Sequence, residues 1–258
     1  MKHALHAEWT KLRTLASTFW LLLAAAALTV TVSAAAAAAT RCPSGGCADD
    51  PAKISLTGVY LGQAVIAVLA VTAVSGEYGT GMIRPTLTAT PRRFSVLGAK
   101  AAIVVVLTLA AGVIAVFGSL LAGGLILPGH GISPAHGYPA ISSGDGAVLR
   151  AAFGSVLYLA LIALLSLGIA TALREAAAAI GAVLGLLYLV PIIAFAVGNA
   201  NWSRLLQQIG PMTAGLAIQA TTGLGSLPIS PWAGLGVLAA WAIGALLLGG
   251  LLLQVRDA

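Results

Sequence analysis

Four histidines, two cysteines and seven carboxylates are the side chains with which this 258-residue chain could do metal, nucleophilic or acid–base chemistry. His3 and His6 precede the first apolar run, while His130, His136 and Asp145 share a Gly/Pro-rich loop. Two histidines six residues apart in such a loop match no standard metal-ligand spacing. Intramembrane proteolysis needs a nucleophile and a histidine at bilayer depth, and all four histidines fall outside the membrane spans. Cys42 and Cys47 sit in Arg41-Cys42-Pro43-Ser44-Gly45-Gly46-Cys47. That loop admits a small disulfide if its compartment is oxidising, or two free thiols. Asp49 and Asp50 beside it are too few to complete a metal site. No Gly-x-x-x-x-Gly-Lys-Ser/Thr occurs, and Gly76, Gly79 and Gly81 have the wrong order for Gly-x-Gly-x-x-Gly, so nothing here cradles nucleotide phosphates. The chain is expected not to be an enzyme and to hold no metal or cofactor of its own.

The elements that would have to position these groups are membrane spans. Hydrophobic residues make up 59% of the chain and charged residues 8%, against about 25% charged in a soluble domain, and the mean hydropathy is +1.01. This excludes a soluble enzyme and a disordered tail. It also excludes a nucleic-acid surface built on dense Lys and Arg, because the net charge of +6 is spread thinly. Uncharged runs cover 14–40, 54–76, 101–144, 151–173, 176–203 and 205–255, each longer than the roughly 20 residues needed to cross a hydrocarbon core. Within them, six spans fall at 18–39, 54–75, 97–127, 151–173, 176–197 and 232–253. A further span is opposed by the Pro/Gly-rich 128–134 and by the polar, interrupted 198–231. The expected fold is all-α, a polytopic integral membrane protein with six transmembrane helices. Lys and Arg divide nine to four between alternate connections, which places both the N- and C-termini in the cytoplasm. The first apolar stretch exceeds a signal-peptide core of about 7–15 residues, so it is expected to persist as a span. Nine Arg against four Lys, amid abundant Ala, Gly and Leu, suit a GC-rich bacterial genome. The expected location is the bacterial cytoplasmic membrane, as a multi-pass protein.

Residues 1–17 form an expected amphipathic interfacial helix, with Leu5, Trp9, Leu12 and Ala16 on one stripe and Lys2, Lys11 and Arg13 away from it. The 18–258 remainder is the transmembrane domain. Between spans two and three, Gly76-Glu77-Tyr78-Gly79-Thr80-Gly81-Met82-Ile83-Arg84-Pro85-Thr86-Leu87-Thr88-Ala89-Thr90-Pro91-Arg92-Arg93 is too long for a minimal hairpin. It can make a short surface helix with Met82, Ile83 and Leu87 as its apolar ridge, or remain a solvated basic loop.

Glu77-Tyr78-x-x-Gly81-Met82-Ile83-Arg84-x-Thr86-Leu87, followed by Thr90-Pro91-Arg92-Arg93, resembles a loop of permease subunits in the type-2 ATP-binding-cassette transporter family. Glu8-Trp9-x-Lys11-Leu12-Arg13-Thr14, then Ser17-Thr18-x-Trp20, is similar to the N-terminus of the actinobacterial-type branch. The resemblance implies that 76–93 is the coupling loop seated in a separate P-loop ATPase subunit. That partner would bind the ATP and Mg, and Glu77, Tyr78, Arg84, Arg92 and Arg93 would lie at the contact. It further implies an ATP-driven transporter of export direction. Two copies of the chain, or this chain and a homologous permease, would form the dimer. Arg174-Glu175, the second cytoplasmic connection, is short enough that only a minor contact is expected of it. The alternatives are a membrane-anchored recruitment or assembly subunit without transport, and an ion-coupled secondary carrier.

Gly181 and Gly185 form a small-x-x-x-small step in span five that would admit a neighbouring helix, and Pro191 should interrupt that span's hydrogen bonding. Thr29, Thr31, Ser33, Gln63, Thr72, Ser119, Ser155 and Ser166 are the polar side chains within spans that could line a path. Among them Gln63 is expected to face protein or a cavity, because its amide needs several partners. Lys100 is expected to snorkel from the end of span three. The 199–231 segment carries helical spacing broken at Gly210-Pro211 and is expected to form re-entrant or interfacial helices, or a structured loop. Trp232 is expected at the membrane surface.

Overall fold

A computed structural model describes residues 16–41, 50–79, 93–132 and 145–255. All the regular elements there are helical: α1 (Ala16–Ala39), α2 (Pro51–Ser55), α3 (Val59–Gly79), α4 (Arg93–Ile126), α5 (Gly146–Leu173), α6 (Ala176–Ala196), α7 (Ala200–Ile209), α8 (Pro211–Gly215) and α9 (Pro231–Val255), with 3-10 turns at Leu127–His130, Leu216–Gln219 and Leu224–Ser226. Six of them, α1, α3, α4, α5, α6 and α9, are long and apolar enough to cross a bilayer. The protein is an all-α, multi-pass membrane protein. Cys42 and Cys47, the coupling loop from 80 to 92, and residues 1–15 of the expected interfacial helix lie outside the described residues.

The helices start where a side-chain oxygen can take the unpaired N–H groups of a first turn. Asp145 accepts from Ala147 N at 2.9 Å, so α5 begins at Gly146, five residues before the expected span. Asp145 is therefore a cap, and among the described residues no three metal-ligating side chains cluster. Glu175 caps α6 through Ala177 N and Ala178 N, and Asn199 caps α7. Asp50 caps α2, with Pro51 in the first turn. Leu56–Gly58 then turn through i→i+3 bonds, so the second span begins at Val59 instead of 54. α6 continues through Pro191.

α5 is the axis of the bundle. Of its membrane-length stretch 72% is buried, against 22% for α1 and for α6, and it packs on α3, α4, α6 and α9. Apolar burial does not drive helices together in lipid, so close packing and interhelical hydrogen bonds must. A Cβ on Gly249 of α9 would stand 2.6 Å from Gly168 O of α5, so these two backbones meet only because neither carries a side chain. At the α1–α3 crossing, a Cβ on Gly58 would meet Thr29 O at 1.8 Å and one on Gly62 would meet Thr29 Oγ1 at 2.0 Å. Ser33 Oγ accepts Gly58 N at 2.9 Å in the same crossing. The small-x-x-x-small step used inside the chain is therefore Gly58/Gly62. Gly181 has nothing within 4 Å of its Cβ position, and Gly185 has only Leu189 of its own helix.

The segment between α6 and α9 re-enters the bundle. α7 returns alongside α6, with Ser203 Oγ donating to Ala194 O at 2.8 Å and Gly210 packed on Val190. Trp241 Nε1 donates to Ile209 O at 2.9 Å. Trp241 is ten residues into α9, so the hairpin dips about 15 Å, near half of a hydrocarbon core. The chain then climbs back through α8 and Leu216–Gln219, where Met212, Ala214, Leu216, Ile218 and Gln219 are buried. Its close fit depends on Gly154 under Ile218 and Gly234 under Ala214 O. Irregular backbone at this depth is tolerated because protein, not lipid, surrounds it. The bundle thus has a hairpin end, and an opposite, terminal end where α1 begins and α9 stops.

Candidate functional site

At the terminal end, the two-residue connection Arg174-Glu175 works because its residues take opposite backbone conformations. Arg174 closes α5 in the left-handed region (φ 63°, ψ −1°), its N–H donating to Ala170 O, while Glu175 is extended and opens α6. Left-handed backbone costs a non-glycine residue about 1–2 kcal/mol, so this turn holds the Arg174 side chain in a fixed place. Its guanidinium lies over the Tyr78 ring, 5.5 Å from the centroid, and Nη2 donates to Leu252 O of α9 at 3.4 Å. A planar guanidinium can stack on a ring and still donate in its own plane. Arg174 therefore joins the last turn of α3, where the 76–93 loop starts, to the α5–α6 turn and to the end of α9. The connection is short, but within the chain it joins three helices. Its charge also suits the position, because α3, α5 and α9 all end here with carbonyls facing out.

Of the five coupling candidates, only the Tyr78 side chain is described. It is half-buried and packs against the core. Glu77 and Arg93 lie in the terminal turns of α3 and α4, and their side chains, with Arg84 and Arg92, lie outside the described residues. Lys100 does not snorkel. It is 4% exposed, and its Nζ reaches Ala73 O of α3 at 3.5 Å. A carbonyl of the neighbouring helix receives the ammonium inside the bundle, away from the headgroup region.

Midway through the bundle, Gln63 is fully buried and joins three elements. The Tyr158 hydroxyl of α5 donates to its Oε1. Its Nε2 donates to Tyr60 O at 3.1 Å and faces Met212 Sδ of α8 at 3.2 Å. Tyr188 of α6 also donates to Tyr60 O, so α3, α5, α6 and the hairpin share one polar node. The other polar candidates divide by use. Thr29, Thr31, Thr72 and Ser166 bond to carbonyls one turn back. Ser33, Ser119 and Ser155 fasten one element to another, through Gly58 N, Thr29 O and Gln219 Nε2.

The hairpin end is fastened by Asp50 and Arg150, for which the residue pattern alone implies no such joining role. Asp50 is 9% exposed, and besides capping α2 it accepts from Thr221 N, Thr221 Oγ1 at 2.6 Å and Thr222 N at 3.0 Å. Arg150 Nη2 donates to Ala220 O at 2.6 Å. The signals available were Asp50-Pro51, a helix-start pattern, and a lone arginine at the edge of an apolar run. Between these elements lies a cavity of about 390 Å³ lined by Lys53, Tyr60, Ser203, Gln207, Thr213 and apolar side chains, none of them among the path candidates. Compared with known proteins, the chain matches no family model and no curated sequence. What is established is a membrane protein with six spanning helices seated in a lipid bilayer.

Proposed function

We propose that this chain is the membrane-spanning permease subunit of an ATP-driven transporter of export direction. In this reading it works as a dimer in the bacterial cytoplasmic membrane, with its termini in the cytoplasm and the 76–93 loop engaging a separate P-loop ATPase. The observation that carries the reading is the root of that loop: Tyr78 sits beneath Arg174, which also reaches Leu252. A displacement of the loop by an ATPase would pass directly to α3, α5, α6 and α9. The outward Gly181/Gly185 step and the exposed Leu189 and Ile192 of α6 suit a second permease copy.

The test is purification of the tagged chain from native membranes in mild detergent, with mass spectrometry of its companions. A near-stoichiometric P-loop ATPase, lost from the Glu77→Ala/Arg84→Ala double variant, is the expected result. Retention of the ATPase by that variant would keep the transporter reading and remove the assigned contact. Absence of any ATPase across several detergents would overturn the reading.

A further inference from the structure

The cavity at the hairpin end combines apolar walls with a cation and a phenol. The walls include Phe195, Leu216 and Leu227, and the cation and phenol are Lys53 and Tyr60. Phe195 is 94% exposed, so the cavity opens on the outer surface of the helices and is no sealed void.

The polar atoms of its wall can be accounted for one by one. Ser203 Oγ donates to Ala194 O, Gln207 Nε2 donates to Ser203 Oγ at 3.2 Å, and Thr213 Oγ1 donates to Gln207 O at 2.9 Å. Those donors are consumed within the wall. The Tyr60 hydroxyl and the Lys53 ammonium are not: among the described residues neither has a hydrogen-bond or ion-pair partner. The natural counter-ion for Lys53 is Asp50, three residues before it. Its two oxygens already receive Ala52 N, Lys53 N, Thr221 N, Thr221 Oγ1 and Thr222 N. The clasp that fixes the hairpin thus also leaves a positive charge unneutralised at the mouth of an apolar cavity.

We propose that this cavity binds an anionic single-chain amphiphile, with its carboxylate or phosphate head against Lys53 and Tyr60 and its tail along Phe195, Leu216 and Leu227. The size agrees: about 390 Å³ lies near the lower end of ligand pockets, roughly 300–1,000 Å³, and leaves no room for a whole two-chain lipid. The proposal rests on the cavity alone and stands whether or not an ATPase drives the chain. The head could arrive on a free amphiphile from water or on a lipid already in the bilayer, and the test separates these sources.

Radiolabelled dodecanoate is titrated onto the full chain in phosphatidylcholine nanodiscs, with protein-free nanodiscs as background. Saturable binding is expected, displaced by unlabelled dodecanoate and not by dodecyltrimethylammonium. Lys53→Gln should weaken it about tenfold, or about 1.4 kcal/mol, whereas Lys53→Arg should stay within about threefold. Lys53 is exposed, so both variants should fold. Leu227→Trp, which fills the apolar part without touching the charge, should reduce occupancy. If phosphatidylglycerol in the nanodisc raises the apparent Kd, the lipid headgroup competes for the site. If it does not, the free amphiphile is the occupant, and both outcomes uphold the site. Non-saturable binding, equal displacement by the cationic probe, or unchanged affinity in Lys53→Gln would overturn it.

Discussion

At the hairpin end a carboxylate gathers donors from a segment 171 residues away, Asp50 taking Thr221 and Thr222. At the terminal end two cations reach across to neighbouring helices, Lys100 to Ala73 O, and Arg174 to Leu252 O and the Tyr78 ring. Asp50 takes N–H groups of the α2 first turn and of the 221–222 segment, whereas Arg174 takes a carbonyl in the last turn of α9, where such groups have no partner within the helix. The geometry differs as well. Asp50 makes several hydrogen bonds of 2.6–3.1 Å in a buried place, whereas the two terminal-end carbonyl contacts are 3.4 and 3.5 Å long. A hydrogen bond weakens steeply beyond about 3.2 Å. Under the proposed coupling, the hairpin end holds one arrangement and the terminal end is pulled.

On this difference, the largest effect belongs to Asp50. Asp50→Ala removes a helix cap and the clasp on Thr221 and Thr222 together, and should cost about 3 kcal/mol. Asp50→Asn keeps an acceptor and should cost about half as much. Unfolding in maltoside followed by tryptophan emission reads this directly, because Trp241 is bonded to the hairpin at Ile209 O. A loss below about 1 kcal/mol for Asp50→Ala would place the clasp among ordinary surface contacts and erase the contrast between the ends.

The second effect lies where the two halves meet. Gln63→Leu strands the Tyr158 hydroxyl, and Tyr158→Phe strands Gln63 Oε1, each at a cost of about 1–3 kcal/mol. Removing both leaves no orphan, so the double variant should be at least about 1 kcal/mol more stable than the sum of the singles allows. Strict additivity in the same unfolding assay would mean that the two side chains do not share a bond, and the node would lose its role as the joint between hairpin and spans.

How much of this could be read from residues alone depended on the distance over which each signal acts. The six spans were legible because a missing charge is a local signal, readable over about twenty residues. Their ends moved where a cap reached further than the apolar run, at Asp145 before α5 and at the Leu56–Gly58 turn before α3. Helical spacing and the Gly210-Pro211 break pointed to helices in 199–231, but their depth was not legible. Gln208, Gln219 and Arg150 look like solvent-facing side chains until Pro228 O, Ser155 Oγ and Ala220 O are known to receive them. Gly181/Gly185, singled out from the sequence, face outward, whereas Gly58/Gly62, missed there, are pressed on Thr29 by packing. Tyr78 was marked by the motif it belongs to. Arg174 was not, because what matters there is a ring almost a hundred residues earlier in the chain.

The smallest expected effect is also the one that best separates holding from pulling. Arg174→Ala and Arg174→Gly both abolish the stacking on Tyr78, worth about 0.5–1 kcal/mol at a partly open site. They differ in the backbone: glycine accepts φ 63° freely, whereas alanine pays the left-handed cost of about 1 kcal/mol. Arg174→Gly should therefore come out near the parent in stability, with Arg174→Ala below it. Arg174→Lys keeps the charge and loses the planar contact. Under the proposed coupling, the ATPase activity of the assembled complex should fall to a similar low level in the Gly and Ala variants, since both lack the guanidinium. It should recover only partly in Lys. Activity that follows the stability order instead, with Gly near the parent, would show that Arg174 shapes the turn and transmits nothing. The terminal end would then be held in the same sense as the hairpin end, only with weaker bonds.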